Sequence, residues 1–167
     1  MQNQRSLIIF VMISKQVLIP KTDTVELTAL HLQRCGIRPS YQRVAIMKYL
    51  VGHMTHPTVD TIFRELQKTM PSLSRTTVYN TLELFRSRGA IKELGIDGRN
   101  ARYDALLEEH AHFRCRQCGK IIDIQLPQNV KESIHSLPKL TVEQTELNFI
   151  GLCDECEAEL LGKDKLT

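Results

Sequence analysis

No apolar run in this chain approaches the ~20 residues a helix needs to cross a bilayer, which argues against a membrane-spanning chain. Leu7 to Ile13, behind Arg5, faintly resembles a signal-peptide core, but no small-x-small cleavage site follows it; Ser14, Lys15 and Gln16 come next. Residues 1–22 are therefore expected to be a flexible N-terminal extension lying outside the fold. The cysteines number five, and an odd count without a signal peptide argues against a secreted disulfide framework. No positioned nucleophile or acid–base pair is evident, which argues against an enzyme. Biased composition is missing too: 42% hydrophobic and 25% charged residues match ordinary globular proteins rather than disordered or collagen-like chains. The expectation is a cytoplasmic globular protein, and 167 residues are enough for one or two small domains.

The net charge is only +3, but it is unevenly spread. Residues 1–102 hold 15 Lys and Arg against 7 Asp and Glu, whereas residues 103–167 hold 7 against 12. A basic first part and an acidic second part predict two modules, the first with a polyanionic partner.

Four helical patterns open the chain. The first spans residues 23–35, with Asp23 or Thr24 as cap and Gly36 as stop. Pro39 is expected just inside the second, which is lined by Val44, Ile46, Met47 and Leu50. The third runs from a Thr58 cap to Met70 before Pro71; the fourth runs from Ser74 to Arg88 and ends at Gly89. Strand-like stretches Ala90 to Ile96 and Ala101 to Leu106 then flank the turn residues Asp97-Gly98-Arg99-Asn100. Helix, turn, helix and hairpin is the order of a winged helix-turn-helix. Downstream, short strands are expected at 112–114 and 120–125, a helix after Pro127, a strand over 141–149 and a last helix over 155–161.

On the fourth helix, Val78, Leu82 and Phe85 recur at helical spacing and face inward. Arg75, Thr76, Tyr79, Asn80 and Arg86 then fall on the opposite side, where they can meet phosphates and base edges of double-stranded DNA. Arg99 and Arg102 on the hairpin could grip the flanking backbone. A merely solvated helix face carries the same pattern, but the preceding helices, the hairpin and the basic charge favour DNA.

Four cysteines form two Cys-x-x-Cys pairs, Cys115/Cys118 and Cys153/Cys156. In a reducing compartment they read as four thiolates on one zinc ion, a closed tetrahedral set with no open position and hence a structural role. Cys35 stands alone and reads as a small, partly buried hydrophobe. His110 and His112, one residue apart, share a face in extended chain; Asp104 precedes them and Asp123 lies on the strand after the cysteine turn. Nitrogen with carboxylate oxygen suits Fe(II), Mn(II) or Zn(II). His-x-His alone is a weak signal, and His56 in Thr55-His56-Pro57 is weaker still.

These residues together resemble the ferric uptake regulator family of bacterial metal-dependent DNA-binding repressors, over about residues 24–160. The resemblance is carried by Gly36-Ile37-Arg38 through Gln42-Arg43, His56-Pro57-Thr58, Thr76 to Leu82, Gly89-Ala90-Ile91, His110 to Phe113, Cys115 to Lys120 and Cys153 to Cys156. It implies an α+β chain: a winged-helix DNA-binding domain over 23–104, a hinge at 105–109, and a small α/β dimerisation domain over 110–167 with a structural four-cysteine zinc site. It also implies a homodimer on operator DNA. Asn80 and the aspartates at 104 and 123 make the chain most similar to the peroxide-sensing, PerR-type branch. That branch implies a regulatory Fe(II) or Mn(II) held by His56, Asp104, His110, His112 and Asp123, with peroxide oxidising His56 and His110 when iron is bound. The alternatives are an iron- or zinc-responsive uptake repressor of the same family and, in another class, a metalloenzyme. The histidine-rich run common in iron-sensing members is reduced here to Glu108-Glu109-His110, and His53 is expected to be a surface residue.

Overall fold

A computed structural model describes residues 24–136, 138, 140–142 and 145–163; the expected N-terminal extension lies outside them. Each of the four helices starts where a hydroxyl can satisfy a free backbone N–H. In α1 (Val25–Arg34) the cap is Thr24, whose Oγ1 accepts from the Leu27 amide at 3.3 Å. In α2 (Tyr41–Gly52) it is Ser40, so Pro39 stands before the cap and not inside the helix as expected. Thr58 caps α3 (Val59–Gln67), which stops short of Met70 because the Leu66 carbonyl takes both the Thr69 and Met70 amides. Ser74 caps α4 (Arg75–Ser87), and Gly89, at φ 64°, makes the left-handed exit that a side chain would strain. Leu32, Ile46, Met47, Leu50, Ile62, Val78, Leu82 and Phe85 are fully buried between these helices, so the periodic apolar positions of the sequence form one core.

A short antiparallel hairpin follows. Its strands, β1 (Lys92–Leu94) and β2 (Arg102–Asp104), pair with Lys92 opposite Asp104 and Leu94 opposite Arg102. They are shorter than the sequence pattern suggests. Gly95–Asp97 winds into one turn of 3-10 helix that buries Ile96 and Asp97, and the strand pairing cannot continue through it.

A three-stranded sheet of order β4-β3-β5 completes the described fold. The first strand, β3 (His110–Cys115), begins at His110 and not at 112, so both histidines lie inside it. It pairs antiparallel with β4 (Ile121–Gln125) and parallel with β5 (Asn148–Gly151). Of the strand expected over 141–149 only Asn148 and Phe149 join the sheet, and β5 runs two residues further, to Gly151, pairing His112 to Cys115 of β3; residues 143 and 144 lie outside those described. Helix α5 (Gln128–His135) follows Pro127, and α6 (Asp154–Lys163) follows Cys153. Leu94, Ile96 and Ile121 form a small core joining hairpin to sheet. Among the described residues no helix is long and apolar enough to cross a membrane.

Candidate metal centres

The first centre lies where β3 ends. Cys115 closes the strand, Cys118 sits in the following turn, Cys153 precedes α6 and Cys156 lies in its first turn. Gly119, at φ 74°, donates its amide to the Cys115 carbonyl and reverses the chain. One sulfur from each cysteine lies within 4.8 Å of the others, and Cys118 Sγ is 3.8 Å from Cys153 Sγ. A tetrahedron with metal–sulfur bonds of ~2.3 Å has edges of about 3.8 Å, whereas a disulfide needs ~2.05 Å. The spacing therefore fits four thiolates around one cation. The Cys118 and Cys153 backbone amides draw the Cys115 thiol down to about 6, while burial and then the neighbouring thiols push Cys156 up. A divalent cation resolves that conflict by favouring thiolate at all four positions.

The second centre gathers residues from three parts of the chain. His56 comes from the turn before α3, Asp104 from the end of β2, His110 and His112 from β3, and Asp123 from β4, where pairing sets it opposite His112. His56, Asp104, His110 and His112 are all buried, with one ligand atom of each within 4.8 Å of the rest. The Nε2 atoms of His110 and His112 are 2.9 Å apart, and Asp104 Oδ2 is 3.2 Å from the first and 3.7 Å from the second. Asp123 Oδ1 approaches His56 Nε2 at 2.9 Å, His110 at 3.6 Å and His112 at 3.8 Å. Among the described residues, His56 Nε2, Asp104 Oδ2 and Asp123 Oδ1 are nonetheless buried without a well-aligned hydrogen bond. Such atoms are costly to bury unless something satisfies them, and lone pairs converging from imidazole and carboxylate suit a cation of intermediate hardness.

Local contacts aim these ligands. The His110 Nδ1–H donates to the Glu108 carbonyl at 2.8 Å, which leaves Nε2 to face the centre. The Leu106 amide donates to Asp104 Oδ1 at 2.7 Å and turns the other oxygen inward. Burial alone would raise the Asp104 carboxyl, but the His110 and His112 rings and that amide hold it well below the usual carboxylate range. His110 moves the other way: burial opposes its charge, yet Asp104, the Glu108 carbonyl and Asp123 raise it above its ordinary value. His56 has φ 50°, the one non-glycine residue with positive φ among those described. Strain of that kind persists only where the surroundings impose it. Here the Tyr103 amide donates to the Pro57 carbonyl at 3.2 Å, and Arg102 Nη1 reaches the His56 carbonyl at 3.4 Å.

On α4, Thr76, Tyr79 and Asn80 are exposed on one face, opposite buried Val78, Leu82 and Phe85. Arg75 and Arg86 also face outward but are engaged. Arg75 pairs with Asp60 of α3 at 2.6 Å, and Arg86 forks onto Glu83 at 2.6 and 3.0 Å. Arg99 is exposed at the hairpin turn. Arg102, expected beside it on DNA, turns inward and meets Asp97 Oδ2 at 2.8 Å. Sequence reasoning misses Asp97, a buried carboxylate that also takes Arg114 of β3 at 3.4 Å. It sits in what reads as turn chemistry, and no motif marks it. His53 is exposed and stacks on Tyr49, while Cys35 is half-buried beside His31.

The winged arrangement and two cation-ready clusters define a metal-binding regulator of the winged-helix class. The chain belongs to the ferric uptake regulator family, whose model matches residues 34–150. It is 37% identical over 128 residues to the peroxide-responsive repressor PerR of Staphylococcus aureus, an alignment covering 75% of this chain and 86% of that protein. Among solved structures it is similar to the Helicobacter pylori ferric uptake regulator (TM-score 0.65, 23% identity, 80% of this chain and 94% of that one). It is also similar to the iron-containing ferric uptake regulator of Francisella tularensis (TM-score 0.61, 25% identity, 73% and 96%).

Proposed function

We propose that this chain is a metal-dependent repressor that binds operator DNA as a homodimer and senses peroxide through its own histidine ligands. One observation carries the reading: His56, from the turn that opens α3, meets Asp104 at the end of the hairpin and His110, His112 and Asp123 of the sheet around a single point. Residues 23–104 form the DNA-binding module, 105–109 the hinge, and 110–167 the dimerisation module. A cation at this point gains its His56 ligand only when the modules are folded together, so binding selects the closed arrangement. Moving a population from 1:99 to 99:1 requires ~5.5 kcal/mol of differential binding, and loss of one chelating ligand removes much of that.

Closure in a dimer sets two copies of α4 at the separation of successive major grooves, roughly 34–36 Å. Thr76, Tyr79 and Asn80 read base edges there, with Arg75, Arg86 and Arg99 on phosphates. Phe149 and Ile150 of β5 and Leu160 and Leu161 of α6 are large apolar side chains left exposed on the second module, which supports self-association. The four-cysteine cluster holds zinc and clamps β3 to α6.

The second centre holds Fe(II) or Mn(II), of which Fe(II) would supply reductive cleavage of peroxide beside the ligating rings. His56 and His110 are the rings proposed to take up oxygen, after which they no longer ligate and the modules part. Support for the peroxide branch comes from aspartate at both 104 and 123 and from the 37%-identical PerR relative. Mass spectrometry after peroxide treatment tests it. An oxygen-atom adduct on His56 or His110 is expected in Fe(II)-loaded and not in Mn(II)-loaded protein. Unmodified histidines with iron, alongside intact metal-dependent DNA binding, would instead identify an uptake repressor.

A further inference from the structure

Arg102 sits on β2, two residues before Asp104, where a winged-helix reading expects it to face DNA. Its side chain does the opposite. Nε and Nη2 both meet Asp97 Oδ2, at 2.9 and 2.8 Å, and Nη1 reaches across to the His56 carbonyl at 3.4 Å. Asp97 is buried at 6% exposure, and its second oxygen lies 3.4 Å from Arg114 Nη2 of β3. One carboxylate thus ties the hairpin to the sheet while the guanidinium it orients holds the backbone of His56. That backbone is the strained, positive-φ segment whose imidazole faces the second centre. A guanidinium suits this task because its planar fork presents several donors at once; a lysine ammonium could reach the carboxylate or the carbonyl but would not span both.

We infer that Arg102 and Asp97 are positioning residues for the regulatory metal: they hold His56 in its ligating conformation and link that loop to the sheet, and Arg102 is not a DNA contact. The inference rests on the metal-site reading of His56. It predicts that the brace raises metal affinity without touching the metal, since outer-shell partners of ligands typically affect affinity roughly 10–100-fold.

The test is Mn(II) titration, read by electron paramagnetic resonance, of the full-length zinc-containing protein. Wild type is compared with His56→Ala, Arg102→Gln, Arg102→Lys, Asp97→Asn and the Asp97→Asn/Arg102→Gln double variant. His56→Ala binding Mn(II) as tightly as wild type would sink the metal-site reading itself, whatever the arginine does. With that control passed, Arg102→Gln and Asp97→Asn are each expected to weaken Mn(II) binding by roughly 10-fold or more. The double variant is expected to lose clearly less than the sum of the two single losses, because Asp97 acts on His56 through Arg102 even though it also meets Arg114. Should Arg102→Gln fail to fold, shown by lost zinc or a collapsed melting transition, Arg102→Lys carries the test; it keeps the charge and is expected to weaken Mn(II) while retaining zinc. Faster amide exchange over residues 53–58 in metal-free Arg102→Lys is the structural counterpart. Wild-type Mn(II) affinity in a folded Arg102 variant, or fully additive losses in the double variant, would overturn the brace. So would a salt slope of DNA binding reduced by about one at saturating Mn(II), which is the mark of a phosphate contact.

Discussion

At the scale of single residues, the second centre is a set of groups whose proton affinities are pulled apart. Asp104 is depressed by the His110 and His112 rings, once burial is overcome, and His110 is raised by Asp104 against its own burial. The signs give a pH window for metal-free protein. The Asp104 contribution is present above its unfolded value of ~3.9 and is lost as pH falls through its depressed folded value. The His110 contribution is present in full below ~6.5 and is lost as pH rises through its raised folded value. The melting temperature of metal-free protein is therefore expected to fall as pH rises above ~6.5, while Mn(II) affinity rises as the competing His110 proton leaves. Calorimetric melting and Mn(II) titration across that range check both trends; a melting temperature that climbs with pH would refute the pairing. The resemblance named Asp104 and Asp123 as partners of the His-x-His pair, but the opposed shifts depend on burial and on distances of 3.2–3.8 Å that no local pattern in the sequence encodes.

Among the elements, α4 and the cysteine turn carry the two most local devices. The four-cysteine set links β3 to α6 across residues 119–152, a long separation for a clamp in a module with few buried apolar side chains. Cys118→Ser is expected to release zinc and to unfold or monomerise the protein. Zinc stoichiometry by native mass spectrometry, with light scattering for the dimer, decides it; full zinc content in an intact dimer contradicts the clamp. On α4, Asn80 is exposed and outside the packed stripe. Asn80→Arg should thus shift preference among operator sequences while changing the melting temperature little, since exposed helix substitutions stay within ~0.5 kcal/mol. Binding measured across a panel of operators, with an unchanged ranking, would argue against a base-reading role. Caps and periodic stripes made the helices readable in advance, because Thr24, Thr58 and Ser74 act within three residues of themselves; Ser40 does too, but Pro39 suggests a start for α2 before that cap. The hairpin was overdrawn for the opposite reason: Gly95–Asp97 winds into a helical turn to bury Ile96 and Asp97 against distant partners, a preference no local pattern encodes.

For the molecule as a whole, the proposed switch is a change in how two modules sit against each other. Mn(II) is expected to compact the wild-type protein in small-angle scattering and to leave His56→Ala expanded; equal compaction of both would separate metal binding from closure. The ligand types, the cysteine spacing, the helices and the family itself all follow from the order of residues, because each depends on groups near in sequence or on a motif complete in itself. The resemblance grouped His56 with residues 104, 110, 112 and 123, but only tertiary structure supplied the distances at which they meet, and it alone decided that Arg102 turns from the expected DNA face toward Asp97. Contacts over such separations depend on the packing of helices, hairpin and sheet at once, and a buried charge chooses its partner only after that packing has removed the water that would otherwise satisfy it.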